Sequence, residues 1–244
     1  MKPIKKDLLK NYPHIKEFTK NADFYAQNNL IQKRVAAHLL KKIDKRYRKI
    51  LDLGCGRGEI YENLPSHPDL FVGVDLSEKM CNLHPKSKQT IILNEDFEKE
   101  SLYERLEAFA PFDLIISSSS LQWAKNLDFV LKNLQKLKGR WLFGIFLEGT
   151  FKTIRELTGQ NSSLPSKEEI VKTVSKYRKC EFETVNYRLF FKNNISKFRY
   201  IKRSGVSGGE RKLSYKKTKD LIKNYPLSYL EFEVIYISCK EESS

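Results

Sequence analysis

The feature that most narrows what this 244-residue chain can fold into is a strand followed by a turn with three alternating glycines. Residues Ile50–Leu53 are apolar apart from Asp52, and Gly54, Gly56 and Gly58 follow them. Glycine lets the backbone approach a ligand closely, and a helix beginning after Gly58 would direct its free N–H groups at the same place. Such a strand–helix turn is typical of nucleotide-binding folds, and by itself it fits a dinucleotide equally well.

Predicted strands and helices alternate through the rest of the chain. The strands are predicted at 49–53, 70–75, 90–93, 112–117, 141–147, 182–191 and 229–239. The helices are predicted at 25–43, after Gly58, from Ser77, and at 98–109, 127–137, 151–157, 167–177, 195–202 and 216–225. This alternation in the first 150 residues predicts an α/β fold, with a parallel sheet covered by helices on both faces.

The net charge of +15 is unevenly distributed. Residues 1–49 carry +10 and residues 193–219 carry +8, whereas residues 50–192 are neutral. Two basic segments around a neutral middle indicate an anionic partner, although a solvated lysine-rich surface would look similar. The chain has neither a membrane-length apolar run nor an apolar signal core, so we expect a cytoplasmic protein that has no membrane partner.

Cysteine and histidine spacing indicates neither a disulfide framework nor a metal site. Cys55, Cys81, Cys180 and Cys239 are scattered singly, and none of the four histidines has a metal-ligand spacing. We therefore expect four free thiols and no metal.

Three further elements follow the glycine turn in a fixed order. The strand ending at Asp75 lies 17 residues beyond Gly58, Asp96 and Phe97 follow the next strand, and the segment 112–123 ends in Leu-Gln-Trp. Together with the turn, these elements resemble class I S-adenosylmethionine-dependent methyltransferases. An acid at the end of the second strand is suited to bind ribose hydroxyls.

This resemblance implies S-adenosylmethionine as the cofactor and a Rossmann-like fold with a seven-stranded, mostly parallel sheet. It also implies an antiparallel last strand, N-terminal helices and a helical insertion before the final strands. We expect one methyltransferase domain over residues 1–244, divided into an N-terminal helical lid (1–49), a cofactor-binding half (50–147) and a substrate-binding half (148–244). The implied cofactor-binding residues are Tyr25, Gln32, Asp52, Gly54, Cys55, Gly56, Asp75, Leu76, Asp96, Phe97 and Ser117.

A narrower resemblance extends over residues 18–239. The segments 18–36, 117–123, 198–207 and 225–229 are similar to those of the malonyl-acyl-carrier-protein O-methyltransferases of biotin biosynthesis. Ile201, Val206 and Ser207 depart from that family's residues at their positions. The resemblance implies methylation of the free carboxylate of a malonyl group on an acyl carrier protein. An acidic carrier would dock on the basic segment 193–219 and possibly on 1–49.

The implied substrate is already an anion at neutral pH, so we expect no catalytic general base. A cation is needed instead, and a guanidinium binds a carboxylate bidentately. We expect Arg199 to hold the malonyl carboxylate and Lys202 to contact the phosphopantetheine arm, although both could be ordinary surface cations. The resemblance implies that Tyr25 and Gln32 close over the methionine end of the cofactor, where Tyr25 also borders the substrate. Trp123 and Phe146 are candidate pocket walls, although such residues are more often part of a hydrophobic core.

Other functions stay open. The positive charge also suits an RNA methyltransferase, but no Asn-Pro-Pro-Tyr-type motif follows the fourth strand, where Ser117–Ser120 is found instead, so a nucleic acid partner is not expected. A small-molecule or quinone methyltransferase would share the fold. A non-catalytic protein that binds the cofactor as part of a larger assembly would retain the same acids.

Overall fold

The computed structural model describes residues 29–204 and 214–240. Seven strands form one sheet in the order β3-β2-β1-β4-β5-β7-β6, in which β7 runs antiparallel to both of its neighbours. The strands are β1 (Lys49–Leu53), β2 (Leu70–Asp75), β3 (Thr90–Asn94), β4 (Leu114–Ser118), β5 (Arg140–Phe146), β6 (Cys180–Phe190) and β7 (Tyr229–Cys239). Strands β1 to β5 are parallel, which confirms the predicted Rossmann-like sheet with an antiparallel last strand.

Helices follow most strands and cover the sheet. They are α1 (Leu30–Leu40), α2 (Glu59–Glu62), α3 (Glu78–Leu83), α4 (Glu100–Glu107), α5 (Leu127–Lys136), α6 (Lys152–Thr158), α7 (Lys167–Ser175), α8 (Asn194–Ser204) and α9 (Tyr215–Asn224), with a 3₁₀ turn at Leu121–Trp123. Among the described residues, none of these helices is long and apolar enough to span a bilayer.

The core is divided into two layers by the alternation of side chains along the strands. Ile50 and Leu114 face one layer, which includes α1 and α8, whereas their neighbours Leu51 and Ile115 face the other, which includes α4 and α5. Because β1 and β4 are buried on both faces, their sequences do not alternate between apolar and polar residues, and polar side chains appear only near the strand ends, at Lys49, Asp52, Ser117 and Ser118. The cofactor-binding half is thereby packed on both faces of the sheet.

Helix α1 packs on the sheet through residues four apart. Ile31, Val35 and Leu39 are buried, so these residues form the apolar face of an amphipathic helix. Val35 lies over Gly144 of β5, where an added Cβ would come within 2.7 Å of Val35 Cγ1. The absence of a side chain at Gly144 therefore allows α1 to lie directly on β5. The helix ends at Leu40, three residues before the predicted end, and residues 25–28 lie outside the described part of the chain.

The prediction of four free thiols is wrong. Cys180 begins β6 and Cys239 ends β7, and the antiparallel register pairs them directly and joins them in a disulfide. The two cysteines are 59 residues apart in the sequence, so their pairing depends on a strand register that spacing alone does not give. Cys55 and Cys81 are free and buried.

Candidate functional site

The glycine turn between β1 and α2 forms one wall of a cleft at the carboxyl end of the parallel strands. The N–H groups of Gly54 and Cys55 both donate to Val74 O, at 2.7 and 3.0 Å, which holds the turn against β2. Gly54 has a φ of +76°, and an added Cβ would lie 1.9 Å from Ser120 Oγ. Gly56 also has a positive φ, +54°, but no atom of the described residues lies within 4 Å of its Cβ position. The turn thus presents bare backbone to an open space. Helix α2 is only a single turn.

Helix α1 supplies the opposite wall of this cleft. The cleft is lined by Asn29, Gln32, Lys33, Ala36, Asp52, Gly54, Cys55, Gly56, Arg57, Glu59, Ile60, Glu62, Leu83 and Ser118. Five residues predicted to bind cofactor are therefore brought together: Gln32, Asp52, Gly54, Cys55 and Gly56. The prediction missed the other nine lining residues: Asn29, Lys33, Ala36, Arg57, Glu59, Ile60, Glu62, Leu83 and Ser118. Most of them follow the glycine turn closely or lie in or next to α1, whereas Leu83 has no signal in the sequence.

Two acidic side chains lie at the glycine turn: Asp52 lines the cleft, and Asp75 ends β2 beside it. Asp52 is 1% exposed, and its Oδ1 has no hydrogen-bond partner among the described residues. Burial, and then the neighbouring Asp75, raise the pKa of Asp52 well above its ordinary value. Burial also raises the pKa of Asp75 to about 6, although N–H groups of Ser77 and Gly56 donate to it at 2.8 and 2.9 Å. A cationic ligand near Asp52 would stabilise its ionised form, because the buried Oδ1 has no donor among the described residues.

Gln32 is the polar residue that α1 directs into the cleft. Its side chain is 7% exposed, and its Nε2 donates to Ser204 O of α8 at 2.9 Å. Its Oε1 is buried and lacks a hydrogen-bond partner within the described residues. A buried carbonyl oxygen without a donor is costly, so this atom is suited to accept a hydrogen bond from a ligand.

The other predicted cofactor residues follow β2, β3 and β4. Asp96 is 7% exposed, with Oδ1 accepting from the N–H of Glu98 at 2.9 Å, and Leu76 and Phe97 are partly buried. Ser117 is fully buried, and its hydroxyl donates to Leu53 O at 2.7 Å, which ties β4 to β1. Its neighbour Ser118 faces the cleft instead.

The predicted substrate residues are not brought together at the cleft among the described residues. Arg199 and Lys202 are exposed on α8, and neither is among the residues that line the cleft. Trp123 is partly buried against the core layer that contains α1. Phe146 is 1% exposed and packs on Phe232, so it belongs to the core and not to a pocket wall. Tyr25 lies outside the described residues.

Metal ligands do not come together in the part of the chain that the structure describes. No group of three His, Cys, Asp or Glu side chains could hold an ion there.

Comparison with known sequences places this site in a family. The profile of a methyltransferase domain family matches residues 51–138. Over 208 residues the chain is 31% identical to a malonyl-[acyl-carrier protein] O-methyltransferase of Bacillus cytotoxicus, covering 80% of this chain and 67% of the relative. A Bacillus anthracis relative of the same name is 34% identical over 57% of this chain, and the match spans only 54% of that relative. A third relative of the same name, from Calditerrivibrio nitroreducens, is 27% identical, and the match covers 88% of this chain and 87% of the relative.

Solved structures share the fold. The YcgJ protein of Bacillus subtilis superposes with a TM-score of 0.60 at 14% identity, covering 86% of this chain and 99% of that one. A protein described as a methyltransferase from Bacillus halodurans superposes with a TM-score of 0.59 at 12% identity, with the same coverage of both chains.

The sheet order, the glycine turn and the matched domain define a class I S-adenosylmethionine-dependent methyltransferase. Within that class, the chain belongs to the family of malonyl-[acyl-carrier protein] O-methyltransferases. S-adenosylmethionine is the cofactor, and the residues present fit it. Gly56 presents bare backbone, the buried carboxyl of Asp52 suits a ligand with a sulfonium and an ammonium group, and the carboxyl of Asp75 at the end of β2 suits ribose hydroxyls.

The buried charge of Asp52 predicts a stability effect that depends on pH. Because the folded-state pKa of Asp52 is raised, the folded protein binds a proton more tightly than the unfolded chain does. The free energy of unfolding therefore declines as the pH rises from the unfolded-state pKa through the folded-state pKa of Asp52. Asp52→Asn removes this contribution. We expect the variant without cofactor to melt roughly 2–4 °C higher than the wild type at pH 7.5, an effect of about 1 kcal/mol.

The increase in melting temperature caused by Asp52→Asn should be smaller at pH 5, where Asp52 of the wild type is more protonated. Differential scanning fluorimetry at both pH values measures it, and Asp113→Asn is a control at an acid whose Oδ2 accepts from the N–H groups of Arg48 and Lys49. A variant that melts lower than the wild type at both pH values would contradict this account of Asp52.

Proposed function

We propose that the chain transfers a methyl group from S-adenosylmethionine to the free carboxylate of malonyl-acyl-carrier protein, giving the malonyl methyl ester that primes pimeloyl synthesis for biotin. One structural observation carries the proposal. Helix α8 exposes Arg199 and Lys202, while its buried face contacts α1, the wall of the cofactor cleft. A cation-bearing helix next to an acidic cofactor cleft suits an anionic acceptor. The names of the relatives support the same acceptor.

The cofactor residues take separate roles in this proposal. Asp75 accepts hydrogen bonds from the ribose hydroxyls, and Asp96 accepts one from the adenine amino group, with Leu76 and Phe97 beside the ring. The backbone of Gly54, Cys55 and Gly56 lies along the ligand, and Ser117 supports this edge by tying β4 to β1. The methionine end of the cofactor lies near Gln32, whose Oε1 accepts a hydrogen bond from it, and near the carboxyl of Asp52 and the ring of Tyr25.

The bound cofactor supplies an electrophilic methyl group on a sulfonium, leaving S-adenosylhomocysteine after transfer. The chain mainly positions the two reactants, because the displacement is in line and the attacking carboxylate needs no deprotonation. Arg199 holds the malonyl carboxylate, Lys202 contacts the phosphopantetheine arm, and Trp123 and Tyr25 border the acceptor.

The acidic carrier docks on exposed cations in this proposal. Lys33 and Arg34 are exposed on α1, and Arg199, Lys202 and Arg203 are exposed on α8. These two helices touch, so their cations belong to neighbouring surfaces. Electrostatic attraction of this kind raises the association rate and weakens with salt.

The pKa of Asp75 predicts how cofactor binding depends on pH. Protonation removes an acceptor and a negative charge, so affinity should be constant above pH 7 and fall as pH drops through about 6, approaching tenfold per pH unit. Calorimetric titration with S-adenosylhomocysteine between pH 5 and 8 measures this. Asp75→Asn should bind more weakly at every pH and lose the dependence. A wild-type affinity that is constant down to pH 5 would refute the role of Asp75.

The acceptor is tested by supplying labelled S-adenosylmethionine with malonyl-carrier protein, malonyl coenzyme A, bulk transfer RNA or a quinone precursor. We expect label in the malonyl thioesters, released by mild base as a methyl ester would be. Label in RNA or in the quinone precursor, with none in the thioesters, would overturn the proposed acceptor. Cofactor binding without any labelled product would favour a non-catalytic role.

Replacement of Arg199 tests the acceptor contact. A bidentate charge-assisted contact contributes about 1.5–3 kcal/mol, so Arg199→Ala should lower kcat/KM for malonyl-carrier protein by about 10- to 100-fold, with the Kd of the cofactor unchanged. Arg199→Lys should recover part of the loss. Arg105→Ala is the charge-matched control on α4, where Arg105 pairs with Glu95 at 2.6 Å. Wild-type turnover in Arg199→Ala would exclude this role.

A further inference from the structure

The contact between α1 and α8 contains two hydrogen bonds that satisfy helix ends. Ile31 is the second residue of α1, and its N–H has no acceptor within its own helix. Asn29, the N-cap of α1, makes no side-chain capping bond. The hydroxyl of Tyr200, in the middle of α8, accepts from Ile31 N at 3.3 Å instead.

The second bond runs in the opposite direction. Ser204 is the last residue of α8, and its carbonyl oxygen accepts from Nε2 of Gln32 in the first turn of α1 at 2.9 Å. Ser204 and Ile31 are fully buried, so water does not substitute easily for either bond. Each helix therefore supplies a hydrogen-bond partner to a backbone group at one end of the other helix.

The ring of Tyr200 is held firmly, which fixes its hydroxyl. Tyr200 is 4% exposed and packs against Phe191 and Phe232, with ring centroids 5.3 and 6.3 Å away. Residues Ile31 and Val35 of α1 belong to the same core layer. A displacement of the start of α1 is thus transmitted to Tyr200, because the surrounding rings leave little room for independent motion.

Gln32 joins this contact to the cofactor cleft. Its amide nitrogen is bonded to α8, while its buried Oε1 has no partner among the described residues and belongs to the cleft wall. A donor that reached Oε1 would fix the amide plane and so also fix the bond to Ser204. Neither Arg199 nor Lys202 lines the cleft, whereas α1 both lines it and is hydrogen-bonded to α8.

We propose that Tyr200 is a positioning residue, and that the Tyr200–Ile31 and Gln32–Ser204 hydrogen bonds couple cofactor binding at α1 to the placement of α8 and its acceptor-binding cations. The role of the α8 cations in binding the acceptor rests on the proposed function. The coupling itself does not, since it links two helices whatever the acceptor is. Cofactor binding would order α8, and acceptor binding would tighten the cofactor by the same factor.

Hydrogen exchange tests the coupling without any acceptor. We expect S-adenosylhomocysteine to slow amide exchange in α8 as well as in α1 of the wild type. In Tyr200→Phe, which removes one hydroxyl, the slowing in α1 should persist and that in α8 should be reduced by about fivefold. Tyr225→Phe is the matched control, because Tyr225 is a buried tyrosine of the same core layer whose hydroxyl donates to Tyr229 O and not to α1.

The coupling is overturned if α8 exchange is unaffected by S-adenosylhomocysteine in the wild type, or if Tyr200→Phe behaves like Tyr225→Phe. If Tyr200→Phe melts below the assay temperature, Gln32→Met breaks the second bond at similar volume and should reduce the α8 response in the same way. An unchanged α8 response in Gln32→Met would then overturn the proposal.

Kinetics separate this inference from the proposed function. With malonyl-carrier protein, Tyr200→Phe should raise the acceptor KM about fivefold and leave kcat within twofold at saturating cofactor. A loss confined to kcat would contradict a positioning role. If the wild type does not methylate malonyl thioesters, the proposed function fails, whereas the exchange experiment still decides the coupling.

Discussion

The pairing of β1 with β2 determines where the cofactor chemistry can occur. The parallel register sets Asp52 opposite Gly73 and Leu53 opposite Val74, and the turn then closes onto Val74 O through two N–H groups. Gly73 has no side chain, and a Cβ there would lie 2.9 Å from Cys55 Sγ, so the turn packs directly on β2. Asp52 and Asp75 lie near each other as a consequence: burial raises the pKa of both, and the neighbouring Asp75 raises that of Asp52 further. A cationic ligand near Asp52 would offset the cost of ionising it.

Helix α1 is held in place by two different kinds of contact. Its apolar face, through Val35 and Leu39, packs on the sheet at the site that Gly144 leaves open. Its first turn is held by polar contacts to α8. Packing fixes the height of α1 above the sheet, whereas the hydrogen bonds fix its end near the cleft. The end of the helix is therefore the part that a ligand can influence most directly.

Most of the sheet could be predicted because its strands carry local signals. The strands β1 and β2 were predicted with the observed bounds, since apolar runs end there at a glycine turn and at an aspartate. Features that depend on long-range register were not predictable. The Cys180–Cys239 pair needs the β6–β7 alignment, and strand alternation decides that Ser118, and not Ser117, lines the cleft. The contact of Tyr200 with Ile31 joins residues 169 positions apart and leaves no periodic trace in the sequence.

The separation of charge in the molecule suits the proposed reaction. Methyl transfer from a sulfonium to a carboxylate removes one positive and one negative charge, so desolvation of both reactants favours the transition state over the separated ions. In the proposed reaction, the buried Asp52 lies near the sulfonium inside the cleft, and the exposed cations of α8 hold the anionic acceptor outside it. After transfer the sulfonium charge would be gone, and Asp52 would lose the attraction that offsets its burial. Asp52 would therefore favour the cofactor over its product, which would promote product release once the methyl group has moved.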